Sequence, residues 1–350
     1  RLRSIPISAE GDGMDTISTR DREILRQRAR RQLDYAHAPR NDAILKQWQA
    51  QAAGRREAPP VRLLFSNFRH EVVTPRLQCE GDLARGIEAV LLGALVGREL
   101  FDDDTPVSPT FDIGWQTTVR PFGLTPTITR AAGPNAQGFH IDPVIHDLAA
   151  EIDRLRGGSF GVDRDATARR HELLDGLFGD ILPVRRVMGS LSGMLTNPLV
   201  QLMGMEAYYL AMYDCPDAVH EVMEMGTAVY ERYYDFLEEE RLLLPTNGLS
   251  PLAQESFAFT DELPTENVTR TTQCWGFLES QETTAVSPAT FGEFVFPYQQ
   301  RLVKRYGLLS YGCCERVDAI WPDYLSTWPT LRKLSVSPFN DEPRLGEALR

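Results

Sequence analysis

Short strand-like runs alternate with helical patterns along most of this chain, and that alternation restricts its fold more than any other feature. Val61-Arg62-Leu63-Leu64-Phe65 reads as a strand closed by the polar turn Ser66–Glu71, and helical spacing of apolar residues follows from Asp82 to about Leu100. Ile181–Met188 reads as a strand, Glu206–Glu240 as one or two amphipathic helices, and Leu242–Pro245 as a strand ending at Thr246-Asn247-Gly248. Cys274–Leu278, Leu308–Tyr311 and Leu331–Val336 complete the strand set, with Phe111–Gly114 a weaker member. Helices are expected over Phe291–Tyr306 and Asp318–Thr327, and another begins at Glu342 with Asn340 or Asp341 as its N-cap. Strands separated by helices imply a parallel sheet with helical cover, an α/β fold.

Neither G-x-G-x-x-G nor G-x-x-x-x-G-K-[ST] occurs, which counts against a nucleotide-binding doubly wound sheet. A (β/α)8 TIM barrel is the better reading, and such barrels carry their chemistry at the C-terminal ends of the strands. Ahead of it lies a charged helix, about Thr19–Gln51, broken near Pro39, then a linker over Gly54–Pro60. Residues 1–60 are therefore expected as an N-terminal helical extension and 61–350 as the barrel. Both ends read as cut: Met14 is a plausible natural start, and Arg350 falls inside an expected helix.

Composition narrows the partners. A hydrophobic fraction of 42% supplies a sizeable core. The net charge of −12 argues against nucleic acid or an anionic membrane as partner, since either favours a basic face. No apolar run approaches the ~20 residues needed to span a bilayer. The odd count of five cysteines fits a reducing compartment, the cytoplasm, with thiols free or metal-bound.

The strand ends supply the candidates for chemistry: His70 with Glu71, Asn247, Glu279 with Gln281 and Glu282, Cys313 with Cys314 and Glu315, and Ser335 with Ser337. Thiolates are soft metal ligands, and Zn²⁺ sites mix Cys, His and carboxylate. Neighbours on an extended strand point to opposite faces, so both sulfurs meet one metal only if the strand has already turned into loop. The plain alternative is two small buried cysteines, and for His70 a surface-loop histidine. His140 and His146 read as structural, and His171-Glu172 lacks the second histidine of a zincin helix. Asp102-Asp103-Asp104 reads as a solvated turn.

Over Trp275–Pro338 the chain carries Trp275-Gly276-Phe277, Ser280-Gln281-Glu282, Val286-Ser287-Pro288, Tyr311-Gly312-Cys313-Cys314-Glu315 and Leu331-Arg332-Lys333-Leu334-Ser335-Val336-Ser337-Pro338. This stretch resembles the uroporphyrinogen decarboxylase superfamily, in particular its decarboxylase-like branch grouped with corrinoid-dependent methyltransferases. The resemblance is thinner from His70 through Ile181-Leu182-Pro183-Val184. It implies a (β/α)8 barrel whose last strand lies beyond Arg350.

The resemblance implies function only in part, because fold and function separate readily. Decarboxylases of the family carry an R-Q-A-G-R-Y segment after the first strand, where this chain reads Phe65-Ser66-Asn67-Phe68-Arg69-His70-Glu71. The methyltransferase branch binds zinc through H-x-C plus a later cysteine, and Tyr311-Gly312-Cys313-Cys314 occupies the matching place with no histidine. The expectation is methyl transfer between a small methylated molecule or a thiol and a corrinoid on a separate carrier protein. Cys313, Cys314 and His70 are the expected zinc ligands, with Glu279 and Glu282 also able to replace the missing histidine. Glu279, Glu282 and His70 are the expected catalytic groups. Asn247, Gln281, Tyr311, Ser335 and Ser337 are the expected cofactor-binding positions. The alternatives are a tetrapyrrole or polycarboxylate decarboxylase, for which Arg62, Arg69, Arg76 and Arg120 are candidate carboxylate grips, and a non-catalytic corrinoid-binding paralogue.

Overall fold

The computed structural model describes residues 17–55, 58–65, 68–132 and 138–349. The chain is a mixed α/β protein that divides into two compact units. The first comprises Arg1–Gln116, Asp163–Val187 and Phe259–Asp261. The second comprises Thr117–Val162, Met188–Ala258 and Glu262–Arg350.

In the first unit, α1 (Thr19–Ala36) opens on Ser18, whose hydroxyl accepts from the Asp21 N–H at 3.0 Å. α2 (Pro39–Ala52) starts on the proline that ends the preceding turn, where its missing N–H costs nothing. α3 (Asp82–Gly93) buries Ala84, Ile87 and Leu91, a spacing of three and four that makes one face. Phe111 and Ile113 bury from β1 (Phe111–Ile113), and Leu174, Leu177 and Phe178 from α4 (Arg164–Phe178). All of these pack with Leu25 and Ala29 of α1 in one apolar cluster. α1, ahead of Pro60, thus shares a core with elements that follow it. β1 pairs in parallel with β2 (Val184–Arg186), Phe111 opposite Val184.

Three expectations in this unit are corrected. Val61–Phe65 forms no strand. The N–H groups of Val61 and Leu63 are taken by the carboxylates of Asp104 and Asp103 at 2.9 and 3.0 Å, so side chains meet the demand a neighbouring strand would have met. Asp103 is accordingly buried, and Asp103 with Asp104 clamps this backbone, while Asp102 stays exposed as a solvated turn would have it. Ile181–Met188 shrinks to β2, because the N–H groups of Ile181 and Leu182 close α4 on the Phe178 carbonyl. Ser66 and Asn67 of the expected polar turn lie outside the described residues.

The second unit holds a four-stranded parallel sheet. β3 (Leu191–Ser192) is followed by α5 (Thr196–Met203), α6 (Met205–Asp214) and α7 (Pro216–Glu239), then β4 (Trp275–Leu278). α8 (Pro288–Phe294) and α9 (Phe296–Val303) lead into β5 (Leu308–Tyr311), β6 (Leu331–Leu334) and α10 (Glu342–Ala348). The strand order is β6-β5-β4-β3. β4 and β5 are wholly buried, which suits their near-continuous apolar sequences. The helix expected over Phe291–Tyr306 is two helices, with Pro297 in the first turn of the second. Asp341 is the N-cap of α10, accepting from the Arg344 N–H at 3.1 Å.

Leu242–Pro245 is not a strand. The Leu242 N–H returns to the Leu237 carbonyl at the end of α7, and Pro245 has no N–H for a ladder. Two antiparallel hairpins that sequence patterning did not show, Thr127–Arg130 with Phe139–Asp142 and Gly248–Pro251 with Phe257–Ala258, interrupt the alternation of strand and helix. Among the described residues no helix is long and apolar enough to cross a membrane.

Candidate functional site

β4, β5 and β6 end in register, Leu278 beside Tyr311 and Tyr311 beside Leu334. The ladder runs one step further, with the Gly312 N–H on the Leu278 carbonyl at 3.0 Å and the Ser335 N–H on the Tyr311 carbonyl at 2.8 Å. The three chains then turn into loop together and bring Glu279–Glu282, Gly312–Glu315 and Ser335–Ser337 to one end of the sheet. Gly312 makes the turn with φ +101°, where a Cβ would lie 3.1 Å from the Ser335 carbonyl oxygen. Only glycine takes that geometry without strain.

Glu315 ties the loops. One carboxylate oxygen accepts from the Ser280 N–H at 2.8 Å and the other from the Cys313 N–H at 2.7 Å. Its side chain is buried, and burial raises its pKa above the ordinary carboxylate value against the opposing pull of those N–H groups. From the other side, the Ser337 hydroxyl donates to the Cys314 carbonyl at 3.2 Å, and the Ser335 hydroxyl lies 3.5 Å from the Cys313 carbonyl. Asn340 donates to the Ser337 hydroxyl at 2.9 Å and to the Glu315 carbonyl at 3.3 Å. The backbone carrying the two cysteines is therefore held at several points.

The thiols are 3.6 Å apart. Cys314 is exposed and Cys313 half-buried. Cys313 donates its S–H to the Gln281 Oε1 at 3.0 Å. Burial, with Cys314 and the carboxylates of Glu279 and Glu315 nearby, pushes the Cys313 thiol up to about 12, so it is a thiol at neutral pH.

Gln281 cannot turn its amide round at no cost, because its Nε2 donates to the Glu282 Oε1 at 3.2 Å. Glu282 is itself buried and engaged: Asn197 Nδ2 donates to Oε1 at 2.7 Å and Thr196 Oγ1 to Oε2 at 2.8 Å. The Tyr209 hydroxyl also donates to the Glu282 backbone carbonyl at 2.7 Å. Three neutral donors thus fix the Glu282 carboxylate against the start of α5. In this arrangement it orients the Gln281 amide. Glu279 is buried as well, its Oε2 accepting from the Gln281 N–H at 2.9 Å.

Among the expected residues, the structure brings Glu279, Gln281, Glu282, Cys313, Cys314, Ser335 and Ser337 into one connected set. The two serines hold cysteine carbonyls rather than presenting free hydroxyls. Tyr311 is fully buried, its hydroxyl 2.9 Å from the Ser280 hydroxyl and its ring against Trp328. Asn247 lies on the loop before the Gly248–Pro251 strand, its Oδ1 accepting from the Gly248 N–H at 2.6 Å. His70 belongs to the first unit, on the single helical turn Arg69–Val72, with Nε2 3.5 Å from Glu71.

Sequence reasoning placed Glu315 at a strand end but gave it no role, although its position two residues past Cys313 is the signal that it can reach back to the Cys313 N–H. Thr196, Asn197 and Asn340 carry no local signal. Among the described residues no group of three or more His, Cys, Asp or Glu is placed to hold a metal ion. The thiol pair offers two donors where a closed tetrahedral zinc site takes four. Comparison with known proteins gives no match in three searches: no family model, no curated protein and no solved structure is similar to the chain.

Proposed function

We propose that this chain is a methyltransferase that exchanges a methyl group between a small molecule and a corrinoid on a separate carrier protein, and that its parallel strands belong to a (β/α)8 barrel. The observation that carries the reading is the thiol pair Cys313–Cys314, set with buried carboxylates at the C-terminal ends of adjacent parallel strands. In α/β proteins the ligand sites lie at those ends. The resemblance of Trp275–Pro338 to the uroporphyrinogen decarboxylase superfamily supplies the reaction class.

In this reading a corrinoid, when bound, supplies the cobalt that carries the methyl group. The work of the chain's own residues is to hold and orient. Glu315, Ser335 and Ser337 fix the backbone beneath the two thiols. Glu282 holds the Gln281 amide so that its oxygen faces Cys313 and keeps that proton on sulfur. Cys314, exposed beside it, is the thiol that meets solvent and substrate. The two thiols would be the soft donors this set offers zinc, short of the four of a closed tetrahedral site.

The test uses methylcobalamin as free methyl donor and dithiothreitol as acceptor. Loss of the methyl–cobalt absorption and formation of S-methyl dithiothreitol are followed with and without the protein, and with Cys313→Ser and Cys314→Ser. Enhancement that falls by at least tenfold in Cys314→Ser supports the reading. A rate equal to the protein-free control sinks it.

A further inference from the structure

We infer that Cys313 and Cys314 are a modification site: they close into a reversible vicinal disulfide on meeting a low-molecular-weight disulfide of the glutathione class. Three observations carry this. The sulfurs are already 3.6 Å apart, so a modest rotation of the side chains brings them to the bonding distance of about 2.05 Å. Cys314 is exposed, which gives a soluble disulfide access to one sulfur, while Cys313 is half-buried behind it with its S–H on Gln281. The dipeptide backbone is anchored at the Cys313 N–H by Glu315 and at the Cys314 carbonyl by Ser337, so the two sulfurs are kept together on one loop.

The chemistry balances in two exchanges. The Cys314 thiolate attacks one sulfur of the glutathione disulfide, forming a mixed disulfide and releasing one glutathione thiolate. Cys313 then gives up its proton, which the released thiolate accepts. Its sulfur attacks the Cys314 sulfur and expels the second glutathione. Two cysteine thiols become one disulfide, and one glutathione disulfide becomes two glutathione thiols. Adjacent Cα atoms are only about 3.8 Å apart across a trans peptide, below the usual range for bridged cysteines, so the closed form is strained and readily reduced. That suits a switch better than a structural crosslink. Closure removes the S–H that Gln281 accepts and both sulfur nucleophiles at once. Cys79 and Cys274 are buried and do not compete for the reagent.

The experiment incubates the full reduced chain, freed of reductant, with oxidised glutathione and reads intact mass, thiol count and a peptide map. The expected result is loss of two hydrogens with no glutathione retained, and a fall of two in the five thiols. The disulfide should map to Cys313–Cys314, and dithiothreitol should reverse it fully. Cys313→Ser should keep a glutathione on Cys314, since no neighbouring thiol remains to expel it. A stable glutathione adduct at Cys313 or Cys314 of the unvaried chain, unchanged thiols at both positions, or a disulfide joining either of them to another cysteine overturns the inference; an adduct at the half-buried Cys215 is told apart by the peptide map. The readout is mass and not turnover. Closure without methyl transfer therefore sinks only the proposed reaction, and methyl transfer without closure sinks only this inference.

Discussion

The Gln281 amide oxygen and the Cys313 sulfur meet at 3.0 Å across the ends of two adjacent strands, and their meeting depends on the carboxylate of Glu282. Glu282 receives the other end of the same amide and so decides which way round Gln281 lies. The polarity of the contact is thereby fixed from α5, where Thr196 and Asn197 hold Glu282.

Replacing Glu282 by Gln tests that relationship. An amide at 282 offers one acceptor oxygen to three donors and brings an N–H₂ group against them, so at least one buried donor loses its partner. The expected cost is ~1–3 kcal/mol, read as a lower urea midpoint with unchanged slope. Alkylation of Cys313 by iodoacetamide, located by peptide mapping, should become faster as Gln281 is freed to turn.

Glu315→Ala should be worse. It removes both acceptors of the Ser280 and Cys313 N–H groups and leaves them buried, at an expected ~2–4 kcal/mol by thermal or urea unfolding. Stability equal to the parent would mean that the two loops are held by something other than this carboxylate.

Gly312→Ala addresses the turn itself. The left-handed φ and the nearby Ser335 carbonyl predict a loss of ~1–3 kcal/mol, without change in helix content by circular dichroism.

Lys333 gives a pH signature. Its side chain is half-buried, and its ammonium donates to the Phe257 carbonyl and to the Ser256 hydroxyl at 3.2 Å and lies 5.6 Å from the centre of the Trp275 ring. Burial lowers its pKa from 10.5 to about 8. Between those values the unfolded chain holds a proton that the folded chain has released, so folding stability from this residue rises with pH across that window. Relative to Lys333→Met, the parent should gain on the order of 1–3 kcal/mol between pH 8 and pH 10 in urea unfolding. A constant difference between the two proteins would contradict the depressed value.

The strands that build the site were legible for a physical reason. Trp275–Leu278 and Leu308–Tyr311 are short apolar runs bounded by loop residues, the pattern of strands covered on both faces. The mixed α/β class followed from them. Val61–Phe65 carries a similar pattern and failed, because Asp103 and Asp104, some 40 residues on, supply its hydrogen-bond partners. Glu282 could be read as a strand-end acid but not as an orienting group, since Thr196 and Asn197 lie 86 and 85 residues away and mean nothing until the chain folds. Cys313, Cys314 and Glu315 were adjacent in sequence, and proximity alone made them readable.

The anchoring of the cysteine backbone sets a timescale. With the Cys313 N–H on Glu315 and the Cys314 carbonyl on Ser337, the distance between the sulfurs changes chiefly by rotation about each Cα–Cβ bond. Such rotations at exposed side chains take picoseconds to nanoseconds, whereas rearrangement of a loop takes far longer. A reagent arriving by diffusion therefore meets the two sulfurs as an equilibrated pair, and the chemistry of exchange at sulfur, not any opening of the protein, limits how fast they respond.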